Sequence, residues 1–333
     1  MSPEYLESRL FSVTNTNSFE DVALEVFGYQ SRYNAVYKEY LKRLNVNPDA
    51  VSTIAKIPFL PITFFKTHQV ICGKDVGKTI FTSSGTTGDI PSKHYINDPA
   101  LYERSFTKGF ELFYGKPQDY AFLALLPSYL ERTGSSLVYM VDRLMQLGQK
   151  AQSGFFLSAF NELFDKLEEL ESLRKNYILL GVTYALLDLA EKYQEQRFPP
   201  LKYAIVMETG GMKGRRKELV KEEIHSVLKR SFGLGSIHSE YGMTELLSQA
   251  YSKENGLFSC PPWMRILIRD TNDPFQLLGP DKTGGINIID LANIHSCSFI
   301  STQDLGKLHI ENTFEVLGRF DNSDLRGCNL LIN

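Results

Sequence analysis

Apolar residues recur with two different periods along this chain, and the change of period marks its organisation. Within residues 4–44, Phe19, Val22, Ala23, Val26, Tyr29, Tyr33 and Tyr37 return at the spacing of one helix face. Ser18, just ahead of Glu20 and Asp21, is the expected N-cap. The aromatic stripe is read as core, not as a ligand cage. Residues 120–126, 177–180, 203–207 and 236–238 form short β-rich runs, with helical stretches at 98–113, 135–147, 159–173, 185–195 and 215–229. Strands alternating with helices predict a parallel or mostly parallel sheet. Beyond about residue 260 the helical period fades. Residues 265–269, 285–289, 297–300, 307–310 and 315–317 predict short strands separated by Gly, Pro, Asn and Asp turns. The expected class is α/β, in three parts: a helical N-terminal segment (1–75), an α/β core (76–255) and a β-rich C-terminal subdomain with a tail (256–333).

Composition narrows the function classes. At 333 residues, 43% hydrophobic and 23% charged, the chain has enough apolar material for a large core in one or two domains. A net charge of −3 argues against a general nucleic-acid or membrane-surface binder, and the run Lys213-Gly214-Arg215-Arg216-Lys217 reads as a solvated helix start. Residues 1–9 are polar and contain Glu4 and Glu7, unlike a signal peptide. The most apolar stretch, 120–130, is too short to span a bilayer and is broken by Pro127, so no membrane span is expected. Cys72, Cys260, Cys297 and Cys328 show no C-x-x-C spacing, which predicts neither a zinc site nor a disulfide scaffold but a reduced, cytoplasmic protein. The histidines lack H-E-x-x-H spacing, and no G-x-S-x-G elbow exists.

One loop carries chemistry. After the apolar Lys78-Thr79-Ile80-Phe81 come Ser83, Ser84, Gly85, Thr86, Thr87 and Gly88, followed by Lys93. Glycines let backbone N–H groups converge on an anion, the hydroxyls add donors, and Lys93 supplies a point charge. The loop is not a Walker A sequence, which needs a Gly-Lys pair beginning five residues after the first glycine, where Ile90 stands here. Alone, such a loop is usually only a polar turn.

Three further elements follow in order: Tyr241-Gly242-Met243-Thr244-Glu245, then Ser301-Thr302-Gln303-Asp304-Leu305-Gly306, then Leu317-Gly318-Arg319-Phe320-Asp321. Together the four elements resemble the adenylate-forming superfamily of acyl-CoA synthetases, peptide-synthetase adenylation domains and firefly luciferases. Within it the chain is most similar to LuxE-type acyl-protein synthetases, through Leu126-Pro127-Ser128-Tyr129-Leu130-Glu131-Arg132, Gly210-Gly211-Met212-Lys213-Gly214 and a terminal Arg326-Gly327-Cys328. The resemblance implies ATP and Mg²⁺ as cofactors and makes residues 76–255 a nucleotide-binding core. It implies that the Ser83–Gly88 loop and Lys93 hold phosphates, that Glu245 binds Mg²⁺, and that Thr244 contacts phosphate. Gly210 and Gly211 would approach adenine, Tyr241 and Gly242 would contact AMP, Asp304 would bind the ribose hydroxyls, and Arg319 would also touch the nucleotide.

Each of these residues has a plainer alternative. Glu245 complements, and Thr244 caps, a helix beginning at that point. Tyr241 is a core aromatic, Asp304 a strand-end residue in a turn with Gly306, and Arg319 the partner of a surface carboxylate. Gly210 and Gly211 make an ordinary strand-to-helix turn. His94 and His238 flank motifs and are read either as nucleotide or acyl contacts or as structural.

The chain departs from larger superfamily members after Arg319, where only fourteen residues remain, so the full C-terminal lid domain and its lysine are expected to be missing. The LuxE-type resemblance implies another acyl acceptor, Cys328, with Arg326 lowering its pKa; the plainer reading is a small buried hydrophobe. The expected activity is formation of an acyl-adenylate from a fatty or aromatic carboxylic acid, then an acyl-protein thioester, with an acyl-reductase or acyl-carrier protein as partner. The rivals are a phenylacetate-type CoA ligase and a non-catalytic nucleotide- or acyl-binding subunit of a reductase complex.

Overall fold

Capping residues break the N-terminal helical segment into three helices. In the structure, a computed structural model describing residues 2–73, 77, 79–83, 90–127, 134–157, 159–210 and 219–320, these are α1 (Pro3–Leu10), α2 (Thr16–Tyr33) and α3 (Ala35–Arg43). The N-cap of α2 is Asn15 rather than Ser18. Ser18 N–H donates to Asn15 Oδ1 (3.0 Å), and Asn15 N–H donates back to Ser18 Oγ (3.2 Å), so Ser18 occupies the third helical position of a reciprocal box. Asn34 then turns extended and accepts from Tyr37 N–H (2.9 Å), starting α3. That break resets the helical phase, so Tyr37 is fully buried while Tyr33, expected in the same stripe, is 54% exposed. A short strand β1 (Leu60–Pro61) and a single turn α4 (Phe64–Thr67) complete this region.

The chain divides into two units. One comprises Thr79–Lys93 and Asp98–Phe258 and is built on a sheet. Strands β2 (Thr79–Thr82) and β3 (Lys93–Ile96) lie on either side of residues 84–89 in the sequence. The sheet itself contains β4 (Ala121–Leu125), β5 (Gly154–Phe155), β6 (Tyr177–Val182), β7 (Ala204–Thr209), β8 (His238–Tyr241) and β9 (Ala250–Ser252), in the order β5-β4-β6-β7-β8-β9. Every pairing is parallel except β8 with β9. Its helices are α5 (Pro99–Tyr114), α6 (Ser136–Leu147), α7 (Phe160–Ser172), α8 (Thr183–Glu195) and α9 (Lys221–Phe232).

The sequence dictates these elements directly. Every residue of β4 and β6 is buried, as strands covered on both faces require, so they read as unbroken apolar runs. In α6, Val138, Val141, Leu144 and Met145 recur every three or four positions and all are buried. Each such side chain contributes about 1.5–3 kcal/mol on burial. Strand β8 begins two residues later than the 236–238 run suggests, because its register is set by pairing with β7: Met207 faces His238, Glu208 faces Ser239, and Thr209 faces Glu240. Helix α9 starts at Lys221, not 215, with residues 211–218 outside those described.

The second unit gathers Met1–Lys78, His94–Asn97 and Ser259–Asn333. The N-terminal helices and the β-rich C-terminal part therefore share it. Its sheet adds β10 (Met264–Arg269), β11 (Leu277–Leu278), β12 (Thr283–Asp290), β13 (Phe299–Leu308) and β14 (Phe314–Arg319) in the order β1-β13-β12-β10-β11, with β14 also pairing β13. The strands expected at 297–300 and 307–310 are one strand. The polar residues between them are held in ladders to β12 and β14 instead of turning. Phe299 centres the core, its ring 5.9–6.3 Å from those of Phe27, Tyr37 and Phe59. Gln30 is fully buried but satisfied, donating to Asn293 O (2.8 Å) and Ile294 O (3.0 Å) and accepting from Ser298 N–H (2.9 Å).

Candidate active site

In an open parallel sheet, ligands bind outside the carboxyl ends of the strands, where loops rather than ladders present polar groups. Strand β7 ends in Thr209-Gly210, and Gly210 takes φ +71°, a left-handed conformation that a Cβ would disfavour. Strand β8 ends in Tyr241, which is 9% exposed and packs against Phe258 at 5.9 Å. The chain then turns at Met243, where Leu246 N–H bonds Met243 O (3.1 Å), and runs on to β9 without forming a helix. Thr244 therefore caps no helix and Glu245 faces no helix dipole. Glu245 lies in this turn, 5% exposed.

Beneath the turn lie charges that no motif marks. Glu208, on β7, is 4% exposed. Its Oε1 accepts from Lys221 Nζ (2.8 Å) and lies 3.6 Å from His225 Nε2, and its Oε2 accepts from Thr183 Oγ1 (3.1 Å). Burial drives this carboxyl up, but the hydrogen bond from His225 and the charge and hydrogen bond of Lys221 outweigh it and hold it at about 2. On the neighbouring strand, Glu240 accepts from Thr209 Oγ1 (2.5 Å). Burial lifts its carboxyl to about 7 against the pull of Thr209, and the negative charge of Glu208 adds to the rise. A Cβ on Gly242 would fall 2.4 Å from Glu240 Oε1, so this carboxyl reaches up to the backbone of the motif. Lys221 also lies over the Phe258 ring at 4.6 Å, tying α9 to the aromatic that packs on Tyr241.

Ser83 and Ser92 bracket the hydroxyl-rich loop. Ser83 N–H donates to Ser92 O (3.1 Å), and Ser92 N–H donates to Ser83 Oγ (2.9 Å), closing its base. Lys93 is exposed at the start of β3. Ser84, Gly85, Thr86, Thr87, Gly88, Gly211 and Cys328 lie outside the described residues. His94 is fully buried and packs edge-on against Phe65 at 5.6 Å, which favours its structural reading. His238 is lowered to about 4, first by burial and then by Lys253 and His225, so it is neutral at physiological pH, its Nδ1 3.2 Å from the Tyr114 hydroxyl.

Asp304 and Arg319 belong to the other unit. Asp304 sits inside β13, not in a turn with Gly306, and pairs in register with Arg319 on β14. Arg319 Nε lies 3.7 Å from Asp304 Oδ1; the Arg319 side chain is 72% exposed and that of Asp304 15%. The pair is loose, and its arginine faces solvent while its carboxylate is largely covered.

Among the described residues, no three or more His, Cys, Asp or Glu stand together as a metal cage. A buried carboxylate such as Glu245 is of the kind Mg²⁺ takes, one or two at a time, with phosphate oxygens and water filling the rest of its shell. Burial raises the thiols of Cys72 and Cys260 far above their usual range and that of Cys297 to about 12. Among the described residues, no helix is long and apolar enough to cross a membrane.

Solved structures share this backbone. An open conformation of 2-hydroxyisobutyryl-CoA ligase in complex with 2-HIB-AMP and CoA superposes with a TM-score of 0.71 at 12% identity, over 93% of this chain and 77% of that one. ATP-bound MatB from Rhodopseudomonas palustris gives 0.54 at 17% identity, over 74% of this chain and 49% of that one, so the chain matches about half of MatB's length. The fold is that of the adenylate-forming ligases. A search of curated proteins finds no match. Residues 11–333 fit the family model described as acyl-protein synthetase, LuxE, and the chain belongs to that family.

Proposed function

We propose that this protein activates a fatty or aromatic carboxylic acid with ATP and passes the acyl group to a cysteine thiol. A carboxylate oxygen attacks the α-phosphorus, the bond from that phosphorus to the β-phosphate oxygen breaks, and pyrophosphate leaves. A thiolate then attacks the acyl carbon, and AMP departs as the thioester forms. The reading rests above all on Tyr241–Glu245 forming the loop that leaves the last parallel strand of an adenylate-forming fold. On it, Ser83 and Ser84 to Gly88 cradle the phosphates with Lys93, Gly210 and Gly211 admit adenine, Tyr241 and Gly242 contact AMP, Thr244 bonds phosphate, Asp304 takes the ribose hydroxyls, and Arg319 also touches the nucleotide. Mg²⁺ held by Glu245 neutralises triphosphate charge when bound. The protein's own work is to fix the nucleotide and place the acid, since adenylation depends more on positioning and charge than on proton transfer.

Cys328 is the proposed acceptor, and an acyl-reductase or acyl-carrier protein the proposed recipient. The raised thiols of Cys72, Cys260 and Cys297 support this assignment, because a sulfur that holds its proton is a poor nucleophile. Cys328→Ser is expected to keep carboxylate-dependent ATP–pyrophosphate exchange near the wild-type rate and to abolish acyl label that survives denaturation and is released by neutral hydroxylamine. Label persisting in that variant would exclude Cys328. The extensive likeness to a CoA ligase favours a second reading, release as acyl-CoA. A CoA-dependent soluble thioester, formed equally well by Cys328→Ser, would establish it.

A further inference from the structure

We propose that Arg269, which belongs to none of the motifs, is a positioning residue that holds Asp304 in place to receive the ribose of the nucleotide. The inference rests on Asp304 being the ribose acceptor and adds the side chain through which the sheet fixes it.

Arg269 is buried against the pattern of its strand. Along β10, Met264, Ile266 and Ile268 alternate into the core. A period of two assigns both Arg265 and Arg269 to the outer face. Arg265 stays there, partly exposed with Nη1 3.4 Å from Glu20 Oε1, whereas Arg269 is only 9% exposed. Its guanidinium reaches across the sheet. Nη1 donates to Ile286 O (2.8 Å) and Asn287 Oδ1 (3.0 Å), and Nη2 donates to Thr302 O (2.6 Å). The β12–β13 register shifts between Gly285 and Asn287, and this irregularity opens the slot. A Cβ on Gly285 would lie 2.4 Å from Arg269 Cζ, so no larger residue leaves room.

Both ends of this reach lead to Asp304. Thr302 Oγ1 accepts from Asp304 N–H (3.1 Å) and donates to Ile286 O (2.9 Å), the same carbonyl that Arg269 grips. Arg269 thus fixes the two backbone points that set the segment from Thr302 to Asp304. On the other side its Cζ lies 5.5 Å from the Phe320 ring, directly after Arg319, the residue paired with Asp304. The charge also fits. Burial lowers the affinity of the guanidinium for its proton, and Asp304 is the group that offsets this. A planar fork is required to hold two carbonyls and an amide at once, and an ammonium group cannot replace it.

The test compares ATP with 2′,3′-dideoxy-ATP, binding each to the full chain by calorimetry for wild type, Asp304→Ala, Arg269→Lys and the double variant. Asp304→Ala should weaken ATP by roughly 10- to 100-fold and leave dideoxy-ATP nearly unchanged. Arg269→Lys should lose affinity with the same selectivity, and the double variant should be little worse than Asp304→Ala alone. Gly285→Ala, which displaces the guanidinium while keeping it, should behave like Arg269→Lys and carries the test if that variant does not fold. An inert Asp304→Ala removes the ribose reading, and the proposal with it. A selective Asp304→Ala beside an Arg269→Lys that weakens both nucleotides equally, adds in full, or changes nothing overturns the proposal alone.

Discussion

Glu208 and Glu240 are buried carboxyls on neighbouring strands whose surroundings drive them in opposite directions. Glu208 is held at about 2, below the usual 4.5, so it contributes stability above about pH 4.5 that is lost as pH falls towards 2. Glu240 is raised to about 7, so the stability linked to its proton is full below about pH 4.5 and is lost as pH rises through 7. Glu240→Gln should therefore remove a decline in urea midpoint between pH 4.5 and 7 that the wild type shows. Parallel curves for the two proteins across that window would contradict the assignment. Glu245 is the proposed Mg²⁺ ligand. Glu245→Gln should lower carboxylate-dependent ATP–pyrophosphate exchange by about 100-fold or more with an unchanged unfolding midpoint, as expected when a preorganised charge is removed from a transition state. Exchange at the wild-type rate would assign Glu245 to the fold alone. None of Glu208, Glu240 and Arg269 was visible from motifs. The trace each leaves is a charge beside Thr-Gly, beside Tyr-Gly or at the end of an alternating run, and only packing decides whether such a residue turns inward.

Helix α9 is anchored by its first residue. Lys221 bonds Glu208, lies 3.4 Å from Ser239 Oγ and covers Phe258, so one side chain joins the helix to both β7 and β8. Lys221→Met keeps the stem but leaves Glu208 without its nearest cation. Breaking a fully buried pair costs about 3–5 kcal/mol, and because Lys221 is a third exposed the expected loss is nearer 1–3 kcal/mol by chemical denaturation. Lys221→Arg should recover part of it. A variant as stable as wild type would show that the ion pair contributes nothing. At this scale the sequence was most readable where one face, or both, is apolar: α6 and α7 with one, and the wholly buried β4 and β6 with both, lie within a residue or two of their expected positions. It was least readable where partners, not side chains, determine structure. Ser301 to Gly306 look like a turn, yet neighbours on both sides keep them in β13, and a capping asparagine moved the start of α2.

At the scale of the whole chain, alternation of strand and helix followed by a β-rich region was enough to indicate the α/β class, because binary patterning carries fold class, whereas the adenylate-forming architecture was indicated by the resemblance of four ordered motifs. That the first and last segments share one unit was not legible, since no local signal links positions so far apart. Gln30 bonds Ser298, 268 positions further on. At about 5–20 residues per second, the ribosome needs roughly ten seconds to a minute to deliver that partner. Throughout this interval the aromatic faces of α2 and α3 have been synthesised while Phe299, which packs against them, has not. The fold thus sets a schedule as well as a shape: the helices of residues 16–43 cannot finish packing until the segment around Phe299 has been translated.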